Sequence, residues 1–335
     1  MAQAYLDLVG IGNAVVDVLT HADETFLVKN GLAKGAMTLV DADQAQKLYD
    51  EMGPAVEISG GSASNTMAGF ASLGGNGAFV GKVRNDQLGG IFSHDIQAAG
   101  VRYDTTLATS GAPTARCLIF VTPDAQRTMQ TYLGASVALG PDDIDEDLIA
   151  AARVTYLEGY LWASESSREA LIKAAQIAAG AGNKVSFTLS DAFLVDAFRE
   201  DFLAFIRSHV DILFANEVEI TTLVGAEDFD DALQHTRGLC EIVALTRSEK
   251  GSVVTAGDEI HVIDAAPVDQ VTDTTGAGDL YASGFLFGYT RDKDFAACGH
   301  IGSLVAGEII SHFGARPETT LADLLPTDEE TRKPQ

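Results

Sequence analysis

The sequence Asp273-Thr274-Thr275-Gly276-Ala277-Gly278-Asp279 runs without a break into an apolar stretch, residues 280–289. An apolar run entered through two glycines reads as a helix whose first turn lies open to a ligand. The N–H groups of that turn have no partner inside the helix, so they point at whatever sits there. Such a turn is an anion site, suited to a phosphate or to charge that develops during group transfer. Asp279 stands at the same place, and a carboxylate repels phosphate. It is better placed to take a proton from an incoming hydroxyl. An anion hole beside a carboxylate base is the minimum equipment for moving a phosphoryl group onto an alcohol. A bare G-A-G would be read as a helix cap; the seven-residue string is far more specific.

Working outward, this helix is one of many that alternate with short apolar runs. Strands are predicted at residues 5–11, 78–81, 153–157, 184–189, 210–214 and 241–246. Helices are predicted at 63–73, 86–99, 166–179, 192–208, 276–289 and 295–313, several of them stopped by glycine. The alternation argues for an α/β fold, a mainly parallel sheet with helices on both faces. Two regions break it. Runs 116–122 and 127–133 flank Pro123-Asp124 and read as a β-hairpin, and 15–20 and 36–40 are short β-like runs. These four pieces are expected to form a small sheet standing off the main body as a lid over a cleft. The domain is expected to span 1–327, with lid segments at about 14–40 and 112–134. The charged residues 328–335 are expected to form a frayed tail.

The formal net charge of −26 repels phosphate backbones and anionic lipid, which argues against a nucleic-acid or membrane partner. The three cysteines, Cys117, Cys240 and Cys298, are odd in number and lack C-x-x-C spacing. They indicate thiols in a reducing compartment, neither a disulfide scaffold nor a zinc site. No apolar run is long enough to span a bilayer, and the first residues lack the basic segment and apolar core of a secretion signal, so a cytoplasmic location is expected. The P-loop, zincin and nucleophile-elbow patterns are absent. Gly10-Ile11-Gly12 lacks the third glycine of a dinucleotide-binding turn.

The 273–279 string resembles the C-terminal signature of the ribokinase-like (PfkB) family of sugar and nucleoside kinases. The resemblance implies ATP as donor, Asp279 as base, and an anion hole from Gly276, Ala277 and Gly278. Gly60-Gly61-Ser62-Ala63-Ser64-Asn65 resembles the family's Gly-Gly motif, which approaches the acceptor, with Asn65 one turn into its helix. Asn13 and Asp17 match positions that contact sugar hydroxyls; a carboxylate accepts two such bonds. Asn216-Glu217-Val218-Glu219 is similar to the family's N-x-x-E motif, which implies Mg²⁺ held near Glu219 through water, although alone it reads as a solvated helix start. Thr246 and Gly251 match the nucleotide-side loop, along with Asn216, Thr275, Gly276 and Gly278. Asp273 and Thr275 match positions that bind a monovalent cation in ribokinases, which implies potassium.

Within the family, residues 113–133 resemble the lid hairpin of bacterial adenosine kinases. Arg127 then matches an arginine that reaches the transferring phosphate. Val15, Cys117, Met129, Leu133, Tyr160 and Phe193 match the acceptor pocket, where a flat base stacks; taken singly, each is as readily a core residue. The expectation is phosphorylation of the 5′-hydroxyl of adenosine by a monomer or homodimer. A kinase of the same fold acting on ribose, fructose or a keto-deoxy sugar acid stays open. So does a catalytically silent nucleoside-binding protein, against which the intact 273–279 string argues.

Overall fold

The computed structural model describes residues 6–124 and 126–325. The expected tail at 328–335 lies outside them. Thirteen strands are described: β1 (Leu6–Ile11), β2 (Val15–His21), β3 (Met37–Leu39), β4 (Val56–Gly60), β5 (Gly77–Val80), β6 (Ala115–Val121), β7 (Arg127–Tyr132), β8 (Ala152–Glu158), β9 (Lys184–Thr188), β10 (Ile212–Asn216), β11 (Ile242–Thr246), β12 (Ser252–Ala256) and β13 (Glu259–Ile263).

Eight of them form one sheet in the order β13-β12-β11-β10-β9-β8-β1-β5. From β5 to β11 the neighbours are parallel; β12 and β13 extend the edge antiparallel. The near-continuous apolar runs have the reason expected of a parallel sheet, because both faces are buried. In β10 and β11, Ile212, Phe214, Ile242 and Ala244 face one core, and Leu213, Ala215, Val243 and Leu245 face the other. The first core is covered by helices Ser62–Ser72, Ala277–Tyr289 and Phe295–Ile309, through Met67, Phe70, Phe285 and Val305. The second is covered by Glu165–Gly180, Arg199–His209 and Glu217–Val224, through Leu171, Phe202, Ile206 and Leu223. Burying one such side chain contributes about 1.5–3 kcal/mol. All parallel strands end on one edge, which places Asn13, Glu158, Thr188, Asn216 and Thr246 along the same side of the molecule.

The second sheet has the order β3-β7-β6-β2-β4. The expected pieces are all in it, together with β4, which the sequence reading did not include. Nor does this sheet stand off from the body. One side of it, Val16, Val18, Leu118 and Phe120, joins the first core, packed with Leu27, Leu48 and Phe92 from helices Glu24–Asn30, Ala42–Glu51 and Gln87–Ala98. The other side carries Val15, Cys117 and Ile119 in a small cluster of their own, with Met129 packed against it. The helix expected over 192–208 is two helices, Ala192–Ala197 and Arg199–His209, which meet at Phe198. The last expected helix stops at Ile309 rather than reaching residue 313. No helix among the described residues is long and apolar enough to cross a membrane.

Candidate active site

Helix 277–289 begins as its sequence requires. Gly276 is its N-cap at φ +80°, a conformation open to glycine at little cost. The N–H of Ala277 donates to the Thr274 carbonyl at 3.2 Å, so it is already spent, contrary to its expected place in the anion hole. The N–H groups of Gly278 and Asp279 have no acceptor among the described residues. The Asp279 carboxylate accepts from Ser62 Oγ at 2.6 Å and Asn65 Nδ2 at 3.0 Å. Burial raises its pKa above the ordinary carboxylate range, while those two donors and then Arg316 pull it back.

The wall facing Asp279 is built where β1, β4 and helix 62–72 converge. Gly60 and Gly61 let this happen. A Cβ on Gly60 would stand 2.4 Å from Asp17 Oδ2, and one on Gly61, at φ +96°, would stand 2.1 Å from the Asn13 carbonyl. Asn13 and Asn65 are both buried, and the Oδ1 atom of each lacks a hydrogen-bond partner among the described residues. Asp17 lies on the same side of the small sheet as Val15. Burial pushes it up to about 6, against the pull of Arg316 and Arg127, and Asp279 adds to the rise. The wall thus presents oxygen acceptors in need of donors, since an unpaired buried acceptor is costly.

Two residues absent from the sequence reading hold this wall. Glu158, at the end of β8, accepts from Asn13 Nδ2 at 2.8 Å and from the Ala63 N–H at 2.9 Å. Burial pushes it up to about 7, and the Ala63 and Asn13 donors hold it down. Arg316 grips both sides of the Gly60-Gly61 turn: its guanidinium donates to the carbonyls of Ser59 (2.9 Å) and Ser64 (2.7 Å) and to both hydroxyls (2.8 Å each). Burial lowers its pKa to about 10, while Asp95, Asp17 and Asp279 favour its charge. A single acid inside the apolar run 154–161 was the available signal for Glu158. Arg316 had none.

The second face of the small sheet brings Val15 and Cys117 into its own cluster, with Met129 packed against it and Leu133 half-buried just past β7. The Cys117 thiol, pushed up to about 12 by burial, stays un-ionised and acts by packing. Arg127 is buried, and its Nη1 donates to Asp273 Oδ2 and, at 2.9 Å, to Thr275 Oγ1. Thr275 is therefore turned toward Asp273 and the small sheet, and it is Thr274 that lines the cavity at the start of helix 277–289.

That cavity, of about 200 Å³, is lined by Ser62, Thr188, Asn216, Glu219, Thr246, Gly276, Gly278 and Asp279, among others. Gly251 is not part of its lining; at φ +77° it closes the β11–β12 turn. Asn216 and Glu219 form a reciprocal helix cap, the Asn216 N–H donating to Glu219 Oε2 at 2.8 Å and its side chain to Oε1 at 2.9 Å. Burial pushes Glu219 up to about 7. Among the described residues no three acids, histidines or cysteines form a metal cage. So few carboxylates on the cavity, Glu219 and Asp279, suit an ion that keeps most of its water, as Mg²⁺ does. Tyr160, 36% exposed, and Phe193, 76% exposed, are not core residues. Burial raises the pKa of the Tyr160 hydroxyl, and the charges of Asp191, Asp279 and Glu158 add to the rise, whereas Phe193 projects from the first turn of helix 192–197.

Residues 26–321 match the pfkB family carbohydrate kinases. The chain is 51% identical to adenosine kinase from Sinorhizobium meliloti, whose structure superposes with a TM-score of 0.89 over 96% of this chain and 98% of that one. It is 48% identical to a probable sugar kinase protein from Rhizobium etli, again at a TM-score of 0.89 with 96% and 98% covered. Adenosine kinase from Saccharomyces cerevisiae is 28% identical over 329 residues, 92% of this chain and 95% of the yeast protein. With nearly all of its length matched, the chain belongs to the pfkB family of carbohydrate kinases and is a phosphotransferase acting on a hydroxyl group.

Proposed function

We propose that this enzyme transfers the γ-phosphoryl group of ATP to the 5′-hydroxyl of adenosine. The observation that carries the reading is the pair of unsatisfied acceptors, Asn13 Oδ1 and Asn65 Oδ1, with the Asp17 carboxylate near them, beside the Asp279 base. Ribose hydroxyls are the donors such a group needs. An exposed Tyr160 and Phe193 and the apolar lid face favour a flat base over a bare sugar. The 51% identity to an adenosine kinase points the same way.

In this reading Asp279 takes the proton of the 5′-hydroxyl. The freed oxygen attacks the γ-phosphorus in line, a P–O bond forms, and the bond to the ADP oxygen breaks. The Gly278 and Asp279 N–H groups receive charge on the transferring oxygens, and Arg127, whose Nη1 is bound to Thr275 just before the helix and whose Nε is unpaired among the described residues, would share it. Glu219, with Asn216 behind it, would hold Mg²⁺ through water. When bound, that ion neutralises phosphate charge. The lid over the acceptor excludes water and so suppresses futile ATP hydrolysis.

A second reading, a sugar kinase, is favoured by the 48% identity to a probable sugar kinase. A sugar acid fits poorly, because the four donors of Arg316 seen here are committed to Ser59 and Ser64. ADP release with Mg-ATP against adenosine, inosine, guanosine, ribose, fructose and 2-keto-3-deoxygluconate separates the two. Turnover with adenosine alone supports the proposal; turnover with a free sugar and none with adenosine overturns it.

A further inference from the structure

The resemblance assigns a monovalent cation to Asp273 and Thr275, and the residues around them do not fit one. An ionised carboxylate offers about four lone-pair sites. In Asp273 all four are taken. Oδ1 accepts from the Thr275 N–H at 3.0 Å and Thr275 Oγ1 at 2.8 Å. Oδ2 accepts from the Gly314 N–H at 3.0 Å and from Arg127 Nη1. The Thr275 hydroxyl, whose proton goes to Asp273, accepts from Arg127 as well. Both members of the ion pair are buried, with side-chain exposures of 7% and 6%. The positive charge at this place is already supplied, and it comes from the lid.

The same guanidinium has a second, open side. Arg127 Nε is buried and without a hydrogen-bond partner among the described residues. A buried unpaired donor on a cation is a site waiting for an anion. Arg127 begins β7 in the lid sheet, and Asp273–Thr275 leads directly into Gly276 and the helix start that carries Asp279. One arginine therefore ties the lid to the loop that sets the anion hole, and keeps a donor free.

We propose that Arg127 is the resident cation of the Asp273 locus: its guanidinium stands where a monovalent metal ion is expected, positions the 273–276 loop, and makes turnover independent of potassium. The proposal rests on the phosphotransfer reaction and not on which acceptor is used.

The test is ADP release by the full-length enzyme in tetramethylammonium buffer with and without potassium chloride at equal ionic strength, with whichever acceptor turns over. The wild type is expected to change by less than about twofold, and Arg127→Ala to lose turnover yet regain about fivefold or more on adding potassium. Arg127→Lys, which keeps a cation there, is expected to stay indifferent to potassium. Melting of the nucleotide-free proteins gives a second readout that needs no substrate. Potassium is expected to raise the melting temperature of Arg127→Ala and leave the wild type unchanged, because an ion stabilises only a fold that binds it. Strong potassium activation of the wild type, or potassium-dependent melting of the wild type, would overturn the proposal. So would an Arg127→Ala protein indifferent to potassium in both readouts.

Discussion

Asp279 and Ser62, 217 positions apart in the chain, share a hydrogen bond of 2.6 Å from hydroxyl to carboxylate. It joins the first turns of two helices, 62–72 and 277–289. In the proposed reaction the base is thus held by the residues that approach the group it must deprotonate.

Ser62→Ala removes that donor, which now lowers a pKa that burial has raised. The base works only when ionised, so rate falls as pH drops through its pKa. Without Ser62 that pKa moves further up, and the acid limb of kcat is expected to shift to higher pH, with activity recovering in alkaline buffer. A kcat–pH profile checks this; a uniform drop with an unmoved limb would assign Ser62 a merely structural role.

Arg316→Gln leaves the Gly60-Gly61 turn without its clamp. The loss of stability is expected to be at least about 1.5–3 kcal/mol, the worth of one hydrogen bond to a charged group. The KM for the acceptor is expected to rise more than that for ATP. Arg316→Lys should not rescue, because an ammonium lacks the planar fork that reaches both serines. Denaturant melts and paired KM values measure both effects.

Glu158 gives stability a pH dependence of definite sign. Its folded pKa, up to about 7 from 4.5, means that the proton is bound more tightly in the folded state. Stability linked to this group is therefore full below about 4.5 and is lost as pH rises through about 7. Glu158→Gln removes the titration, so its melting temperature is expected to fall less than that of the wild type between these two pH values. Parallel curves would show that Glu158 carries no such linkage.

If the acceptor carries a base, Tyr160→Ala and Phe193→Ala are expected to raise the KM for adenosine about 2–10-fold, the range of one aromatic pair. The KM for ATP is expected to stay unchanged. Equal KM values for adenosine in all three proteins would remove the aromatic argument for a nucleoside.

Much of the fold was legible because strands buried on both faces are apolar along most of their length, as β10 and β11 are up to their last residue. β4 escaped because Val56-Glu57-Ile58-Ser59 mixes exposed and buried positions over a short span. The 273–279 and 60–65 motifs were legible because their chemistry is local: glycines, a base and a helix start within a few residues. Glu158 and Arg316 were not, because their roles arise from contacts made 145 and 257 positions away. Thr275 was placed on the correct loop, but its side-chain direction is set by Arg127, which the chain brings in from the lid. Gly251 was recognised as special, yet its positive φ serves a hairpin turn.

The measurement that bears most directly on the account is turnover by Asp279→Asn, with ATP binding followed separately by calorimetry. The carboxylate is lost while an amide of the same shape remains near Ser62 and Asn65. Turnover is expected to fall by about 10²–10⁴, the usual worth of a general base, with ATP affinity and melting temperature near those of the wild type. Turnover close to the wild-type value would contradict the assignment of Asp279 as the base.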